Sequence, residues 1–327
     1  LIKKNLKKGE IISLIIKNSI EYIIIYLSCL RLGLIVNPYP YSLEAKDILR
    51  YLKDIDSNLV LTNKKHYDFI KSEIGANLDV ELVTSDFLNN MKLVNEVEKT
   101  NFVPNDKDPA AIYYSSGTTG NPKSVVFSHK NIISNISSII SGFNHDRNHT
   151  HLVVLPLGHT ASINYSFLPC TLMGGTIYVA ESFWKIRSRF WKIIIENKID
   201  YVELVPSIVI ALLNTPYDEK EIMSKKALKY IGCGSATLPV NVQESFFNKY
   251  KIPVSNLYGL SETGPTHVDL PTDKDWKPGT IGKPLDVNEV YIIDEKGKKL
   301  GPNKEGEIGI SGHNVFIDYY KNRELYN

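Results

Sequence analysis

The amino-acid sequence predicts an α/β fold with two mainly parallel β-sheet subdomains flanked by helices, plus part of a small antiparallel β-barrel. Apolar runs of strand length alternate with segments of helical period up to about residue 270, a pattern typical of parallel strands joined by covering helices. The alternation restarts near His151, which indicates a second sheet. From Pro271 onward, short strands are separated by Gly, Pro and Lys turns, which indicates a small antiparallel unit.

The first subdomain is expected over residues 1–145. Ile11–Ile16 is an apolar run of strand length. Ser19 is a suitable N-cap for the helix that follows. This helix is expected to end at Gly33, because glycine readily adopts the positive φ of a helix C-terminus. The elements that follow in chain order are a helix from Ser42, a strand over 59–62, a helix over 64–72, strands over 79–85, 110–114 and 124–128, and a helix over 130–141.

The second subdomain is expected over residues 146–270, and the incomplete β-rich unit over residues 271–327. Between the first two strands of the second subdomain, we predict a helix that ends at Gly174 and Gly175. The predicted strands of this subdomain cover residues 152–157, 176–179, 201–205, 230–232 and 254–258, and its helices cover 160–172, 183–196, 207–213 and 240–250. The β-rich unit contains predicted strands over 289–293 and 306–311.

Composition limits the classes of partner. The net charge is only +2 and there is no long basic run, which argues against nucleic acid. The most apolar stretch, Ile20–Leu32, carries two charged residues and is too short to span a membrane. The three cysteines lie far apart, which favours a reducing compartment, and we expect a cytoplasmic protein. Because the chain begins with Leu1 and ends abruptly at Asn327, we expect a fragment of a longer protein.

The strongest local signal is a loop rich in hydroxyls and glycine between two predicted strands. Its two glycines allow close approach of the backbone to a polyphosphate, its hydroxyls can donate to phosphate oxygens, and a lysine adds positive charge. A polar hairpin loop is the alternative interpretation, since Gly, Asn and Pro are common turn residues. The candidate phosphate-binding residues are Ser115, Ser116, Gly117, Thr118, Thr119, Gly120 and Lys123.

This loop differs from the P-loop of ATPases and kinases. In a P-loop, glycine precedes the lysine and a helix follows directly, so that the amides at the helix N-terminus face the phosphates. Here Pro122 precedes Lys123, and the next residues, Val125–Phe127, are strand-like. A P-loop ATPase or kinase is therefore disfavoured.

The loop resembles that of the adenylate-forming superfamily, which comprises acyl- and aryl-CoA synthetases, peptide-synthetase adenylation domains and firefly luciferase. Ser124 stands where most members have glycine. The resemblance implies ATP- and Mg²⁺-dependent activation of a carboxylic acid to an acyl-adenylate with release of pyrophosphate. It further implies transfer of the acyl group to the thiol of coenzyme A or of a carrier-protein pantetheine.

Two further segments resemble family motifs that bind the nucleotide. The segment 231–239 is similar to the family's Gly-Ala-Pro-Leu segment, which implies that Gly234, Ser235 and Ala236 border the adenine. The segment 258–263 is similar to Tyr-Gly-x-Thr-Glu. By this resemblance Ser261 contacts the α-phosphate, Tyr258 stacks on the adenine beside Gly259, and Glu262 holds Mg²⁺ together with Thr119.

The segment 155–159 resembles the family's Pro-Leu-aromatic-His motif, which implies that His159 lies near the acyl pocket. Together with Lys123, Ser261 and Glu262, it completes the expected catalytic set. Gly158 replaces the usual aromatic residue and is expected to widen or reshape the entrance. Amino-acid-activating members carry an aspartate in this region, whereas residues 158–164 contain none. A fatty or aromatic acid is therefore favoured, with Asn164 available to bind a ring hydroxyl.

Two alternatives to a CoA ligase remain open, and one cluster of residues is left over. The chain is alternatively an adenylation domain that loads a carrier protein, or a nucleotide-binding relative without catalytic activity. The family's C-terminal domain, with its catalytic lysine, and the aspartate that binds ribose would both follow Asn327.

His145, His149 and His151 lie in a polar segment, and we expect them to be solvated rather than to bind a metal.

Overall fold

The computed structural model describes residues 1, 4–74, 78–84, 86–87, 103–115, 123–218, 220, 222, 228–322 and 324. Six strands from the first part of the chain form one sheet, in the order β6-β5-β2-β1-β3-β4. Neighbouring strands pair parallel, except that β5 and β6 run antiparallel. The strands are β1 (Ile11–Ile15), β2 (Ile35–Pro38), β3 (Ser57–Thr62), β4 (Asp79–Leu82), β5 (Pro109–Tyr114) and β6 (Ser124–Ser128).

Helices cover this first sheet. The predicted caps of the first helix are confirmed, because the Ser19 hydroxyl accepts a hydrogen bond from the Tyr22 amide and Gly33 has a φ of 68°. Every residue of β1 is buried, as expected for a central parallel strand with both faces covered. The helices are α1 (Ile20–Leu32), α2 (Ala45–Asp54), α3 (Lys64–Ile74) and α4 (His129–Gly142).

The second sheet contains five parallel strands in the order β11-β10-β9-β7-β8. They are β7 (Thr150–Val153), β8 (Thr176–Val179), β9 (Tyr201–Leu204), β10 (Ile231–Cys233) and β11 (Val254–Asn256). The predicted helix over 160–172 is present and contains a buried π-helical segment, Ser162–Phe167. The α-helices of this part are α5 (Leu168–Met173), α6 (Phe183–Ile186), α7 (Phe190–Glu196), α8 (Pro206–Leu213) and α9 (Val240–Tyr250).

The remaining strands are short and antiparallel, as predicted. They pair as β12 (Gly259–Leu260) with β13 (Gly264–Pro265), β14 (His267–Val268) with β15 (Lys283–Pro284), and β16 (Asn288–Ile293) with β17 (Glu307–Gly312). Within the described residues each pair is a separate two-stranded sheet, without closure into a barrel. The last strand, β18 (Asp318–Tyr319), pairs antiparallel with β6 and becomes the seventh strand of the first sheet.

The two large sheets are joined by a buried hydrogen-bond network centred on Asn18. Its side-chain amide donates to the carbonyls of Leu155 and Ala180, at 2.8 and 3.2 Å, and its carbonyl accepts from the Leu157 amide at 2.8 Å. The Tyr22 hydroxyl donates to the Leu157 carbonyl at 2.5 Å. Buried polar groups that are fully paired hold their segments in one geometry, so this network fixes the segment that follows β7 against the first sheet. Among the described residues, no helix is both long and apolar enough to cross a lipid bilayer.

Candidate functional site

A cavity of about 640 Å³ lies where the two large sheets meet. Its wall is built mainly from residues that follow β2, β5, β7, β10 and β11, at the carboxyl ends of parallel strands. This edge is where α/β proteins usually bind ligands. Seven residues that the sequence singled out line the cavity together: Ser115, Lys123, His159, Ser235, Gly259, Ser261 and Glu262.

One side of the cavity carries opposite charges and hydroxyls. The backbone amide of Ser115 donates to the Lys123 carbonyl at 3.0 Å, which holds the two ends of the candidate phosphate loop together. The Ser115 hydroxyl is buried and has no hydrogen-bond partner among the described residues. The Ser261 hydroxyl lies 3.5 Å from the Tyr114 carbonyl. A lysine, a carboxylate and two hydroxyls on one wall suit a phosphate group with a bound divalent cation.

Tyr319 links the lysine and the carboxylate of this wall. Its hydroxyl donates to Glu262 Oε1 at 3.3 Å, and Lys123 Nζ lies 5.2 Å from the centre of its ring. Burial and the Glu262 carboxylate both raise the pKa of Tyr319, which keeps the hydroxyl protonated as a donor. The sequence analysis missed this residue, because only the pairing of β18 with β6 brings it to the site.

His159 is an exposed residue that lines the cavity. Desolvation by the surrounding protein lowers its pKa, so the imidazole is neutral at neutral pH. The expectation that Gly158 widens or reshapes the entrance stays a prediction, but the space beside Gly158 is occupied by main chain. A Cβ at Gly158 would lie 2.1 Å from the Tyr39 carbonyl carbon and 2.2 Å from Pro40 N. Glycine is needed here because the main chain after β2 fills the space.

Some of the candidate adenine-binding residues line the cavity, and others do not. Ser235 is on the wall and has a φ of 64°, a conformation that non-glycine residues adopt at a cost of about 1–3 kcal/mol and mostly at functional sites. Gly259 is also on the wall, where a Cβ would meet the Gly264 carbonyl oxygen at 2.3 Å. Among the described residues, Gly234, Ala236 and Tyr258 lie outside the wall. The Tyr258 ring packs edge-on against His267, with centroids 5.3 Å apart.

Tyrosines form another part of the cavity wall, and the sequence analysis did not select them. The ring of Tyr114 lies 5.2 Å from that of Tyr39 and 4.8 Å from that of Tyr51. Tyr113 and Tyr165 also line the cavity, and the Tyr165 hydroxyl donates to the Tyr258 carbonyl at 3.1 Å. The sequence contains 19 tyrosines, but nothing in the local pattern marks these as neighbours. This wall is suited to an apolar or aromatic ligand.

Asn164 and five residues of the phosphate loop are predicted site residues that are not among the described residues of the cavity wall. Asn164 is buried and lies outside the cavity wall of the described residues, with its amide nitrogen 3.1 Å from a Cβ placed on Gly264. Its predicted hydrogen bond to a ring hydroxyl stays a prediction. Five residues of the phosphate loop lie outside the described residues, and their roles stay predictions: Ser116, Gly117, Thr118, Thr119 and Gly120.

The expectation of solvated histidines is wrong for two of the three. His145 is 8% exposed and His151 is fully buried, whereas His149 is partly exposed. Burial lowers the pKa of His145 to about 2 and that of His151 to about 4. The segment looked polar in sequence, but its histidines turn inward, and the His145 ring packs 4.9 Å from that of Tyr201.

Glu203 is a second buried titratable residue that the sequence did not indicate. It lies in the middle of β9, opposite Gly232 of β10, and is 2% exposed. Neither carboxyl oxygen has a hydrogen-bond partner within the described part of the chain. Burial raises the pKa of Glu203 to about 8, so the carboxyl group is mainly neutral at pH 7.

Comparison with known sequences gives a family match over almost the whole chain. A family model described as AMP-binding enzyme matches residues 1–320. The chain is 27% identical over 332 residues to an oxalate–CoA ligase of Arabidopsis thaliana, with 98% of this chain and 64% of the relative covered. It is 28% identical over 352 residues to 4-coumarate–CoA ligase 3 of the same plant, with 99% and 60% covered. The chain thus spans less than two thirds of the length of these relatives.

Solved structures share the fold. ATP-bound MatB from Rhodopseudomonas palustris has a TM-score of 0.87 and 23% identity, with 98% of this chain and 63% of that chain covered. The inhibitor-bound N-terminal domain of FACL13 from Mycobacterium tuberculosis has a TM-score of 0.86 and 23% identity, with 99% and 81% covered. These similarities confirm the predicted α/β architecture with two mainly parallel sheets.

Proposed function

The chain belongs to the AMP-binding enzyme family, and we propose that it binds ATP and activates a carboxylic acid as an acyl-adenylate, with release of pyrophosphate. One observation carries the proposal. Lys123, Glu262, Ser115 and Ser261 line a cavity whose wall is also aromatic, because Tyr51, Tyr114 and Tyr165 line it too. The polar wall suits the phosphates of ATP, and the aromatic wall suits an organic acid next to them.

In the proposed reaction a carboxylate oxygen attacks the α-phosphorus of ATP, and the bond to pyrophosphate breaks. The Lys123 ammonium and the hydroxyls of Ser115 and Ser261 stabilise the negative charge that grows on the phosphate oxygens. Glu262 offers the hard oxygen ligand that Mg²⁺ prefers, with Thr119 as a second candidate ligand. When bound there, Mg²⁺ supplies Lewis-acid stabilisation of the same charge.

The proposed acid is apolar and aromatic or fatty, and the proposed acceptor is the thiol of coenzyme A. The tyrosines at positions 51, 114 and 165 support the first proposal, since they give the cavity flat apolar surfaces. The CoA ligases among the relatives support the second. A carrier-protein pantetheine is the alternative acceptor. We also propose a cytoplasmic location, which is supported by three cysteines that are buried and unpaired.

The test is thermal unfolding of the chain with a panel of non-hydrolysable acyl-sulfamoyl-adenosines. These compounds mimic the adenylate, and the panel varies the acyl group from short aliphatic to long aliphatic and aromatic. A ligand at 100 times its Kd stabilises the folded state by about 2.7 kcal/mol. We expect stabilisation that depends on the acyl group and is greatest for aromatic acids. Sulfamoyl-adenosine without an acyl group is the matched control.

Three results would count against the proposal. Equal stabilisation by every compound, including the control without an acyl group, would favour a nucleotide-binding relative that does not select an acid. No stabilisation of a chain shown to be folded would refute the adenylate site. Release of ADP rather than AMP and pyrophosphate during incubation with ATP and acid would indicate a different phosphoryl-transfer reaction.

A further inference from the structure

We propose that His145, His149 and His151 form a binding site for one Zn²⁺ ion, separate from the nucleotide cavity. One ring nitrogen from each of the three histidines lies within 4.8 Å of the other two. His145 and His149 lie in the loop between α4 and β7, and His151 is the second residue of β7. The site is therefore formed by one short stretch of chain that folds back on itself.

The spacing is close to that of a bound site. Zn²⁺ lies about 2.0–2.1 Å from imidazole nitrogens in tetrahedral sites, which places two such nitrogens about 3.4 Å apart. The observed separations require the side chains to move inward by about 1–1.5 Å at most. His149 is the most exposed of the three, and rotation of its side chain would supply part of this movement with loss of the 3.4 Å hydrogen bond that its Nδ1 accepts from the Asp146 amide.

The second observation is a pair of buried nitrogens without hydrogen bonds. Nε2 of His145 and Nε2 of His151 are buried and have no partner in the parts of the chain that the structure describes. A buried polar atom left unpaired destabilises the folded state. A cation between the rings would pair both atoms at once.

The protonation of His151 is fixed in the form that binds a metal. Its Nδ1 lies 3.1 Å from the Ser166 carbonyl oxygen, and because a carbonyl can only accept, the proton is on Nδ1. Nε2 then carries a free lone pair. Metal-binding histidines generally donate their second nitrogen to a carbonyl or carboxylate in this way.

The chemistry of the ligands favours Zn²⁺ over Mg²⁺. Imidazole nitrogens suit Zn²⁺, whereas Mg²⁺ prefers oxygen ligands. Asp146 Oδ2 lies 3.5 Å from His149 Nε2, where it offsets part of the positive charge. The His149 side chain is 18% exposed and that of Asp146 is 57% exposed, so an ion can enter from this side and water can occupy the fourth position.

The expected role of the ion is structural. The Phe143 ring lies between the site and the cavity, 5.9 Å from His145 and 6.2 Å from the cavity residue Tyr165. A bound ion would fasten the connection between α4 and β7 behind the aromatic wall without contacting the nucleotide.

The test uses the chain after removal of metal with a chelator. Titration with Zn²⁺ should show one site per chain, and Zn²⁺ should raise the melting temperature. Co²⁺ should give the visible absorption of tetrahedral nitrogen ligation without a thiolate charge-transfer band. H149Q should weaken Zn²⁺ binding by at least about 100-fold, because loss of a ligand exceeds the 10–100-fold effect of losing an outer partner. H313Q, which removes an exposed histidine elsewhere, is the matched control and should bind Zn²⁺ normally.

The proposal is overturned if the metal-free chain takes up no Zn²⁺ at stoichiometric concentration. It is also overturned if H149Q, shown to be folded by circular dichroism, binds Zn²⁺ as tightly as H313Q does. A thiolate charge-transfer band with Co²⁺ would assign binding to cysteine instead. The Co²⁺ spectrum of the unaltered chain tests the site without any variant.

Discussion

The buried Glu203 carboxyl makes the stability of the fold depend on pH in a way that one substitution should remove. Burial raises the pKa of Glu203 from its ordinary value of 4.5 to about 8. The folded state therefore holds a proton that the unfolded state releases over this range. The stability linked to Glu203 is fully present below about pH 4.5 and is lost as the pH rises to about 8. The change E203Q replaces the carboxyl with a neutral amide of nearly the same shape.

The size of the effect follows from the shift in pKa. Each pKa unit corresponds to about 1.4 kcal/mol, so the full shift makes the folded state about 5 kcal/mol less stable above pH 8 than below pH 4.5. Between about pH 5.5 and about pH 8 the loss is about 3 kcal/mol. E203Q cannot ionise, and its stability relative to the unaltered chain should rise by this amount over the same range.

The assay is urea unfolding of both proteins at several pH values in this range, followed by circular dichroism. The difference between the two curves cancels the contributions of the other titrating groups. E244Q removes an exposed carboxylate from α9 and is the matched control, with a difference that should stay constant with pH. A constant difference for E203Q as well would refute the reasoning, because it would mean that water reaches the Glu203 carboxylate.

Three further predictions concern the cavity. K123A should weaken ATP binding by about 10–100-fold, since a charged hydrogen bond is worth about 1.5–3 kcal/mol. Calorimetry measures the Kd for ATP, and an unchanged Kd would contradict a contact between Lys123 and a phosphate. E262Q should abolish the increase in ATP affinity that Mg²⁺ produces while leaving metal-free binding unaltered, and an unaltered Mg²⁺ response would argue against a metal ligand. G158A should destabilise the fold by at least about 2 kcal/mol, because its Cβ would overlap the main chain of Tyr39 and Pro40. Thermal unfolding measures this loss of stability, and an unchanged stability would show that the main chain can move aside.

Local sequence determined most of the secondary structure and the family. The Ser19 cap and Gly33 end of α1 are properties of a few adjacent residues, and they were predictable because capping depends on local backbone geometry. The motifs around Lys123, His159 and Glu262 were also predictable, since each is a short run with a fixed order. The sequence by itself thus indicated two parallel sheets with polar residues at their strand ends.

Tertiary structure decided which distant residues meet and which are buried. Tyr319 reaches Lys123 and Glu262 only because the end of the chain adds a strand to the first sheet. The inward turn of His145 and His151, and the burial of Glu203 without a partner, run against the usual exposure of polar residues. A sequence pattern predicts burial from the average preference of each residue type. The actual burial of one side chain depends on all the residues that pack around it. For that reason the sequence identified the polar wall of the cavity, and only the fold revealed the tyrosine wall, the histidine cluster and the buried acid.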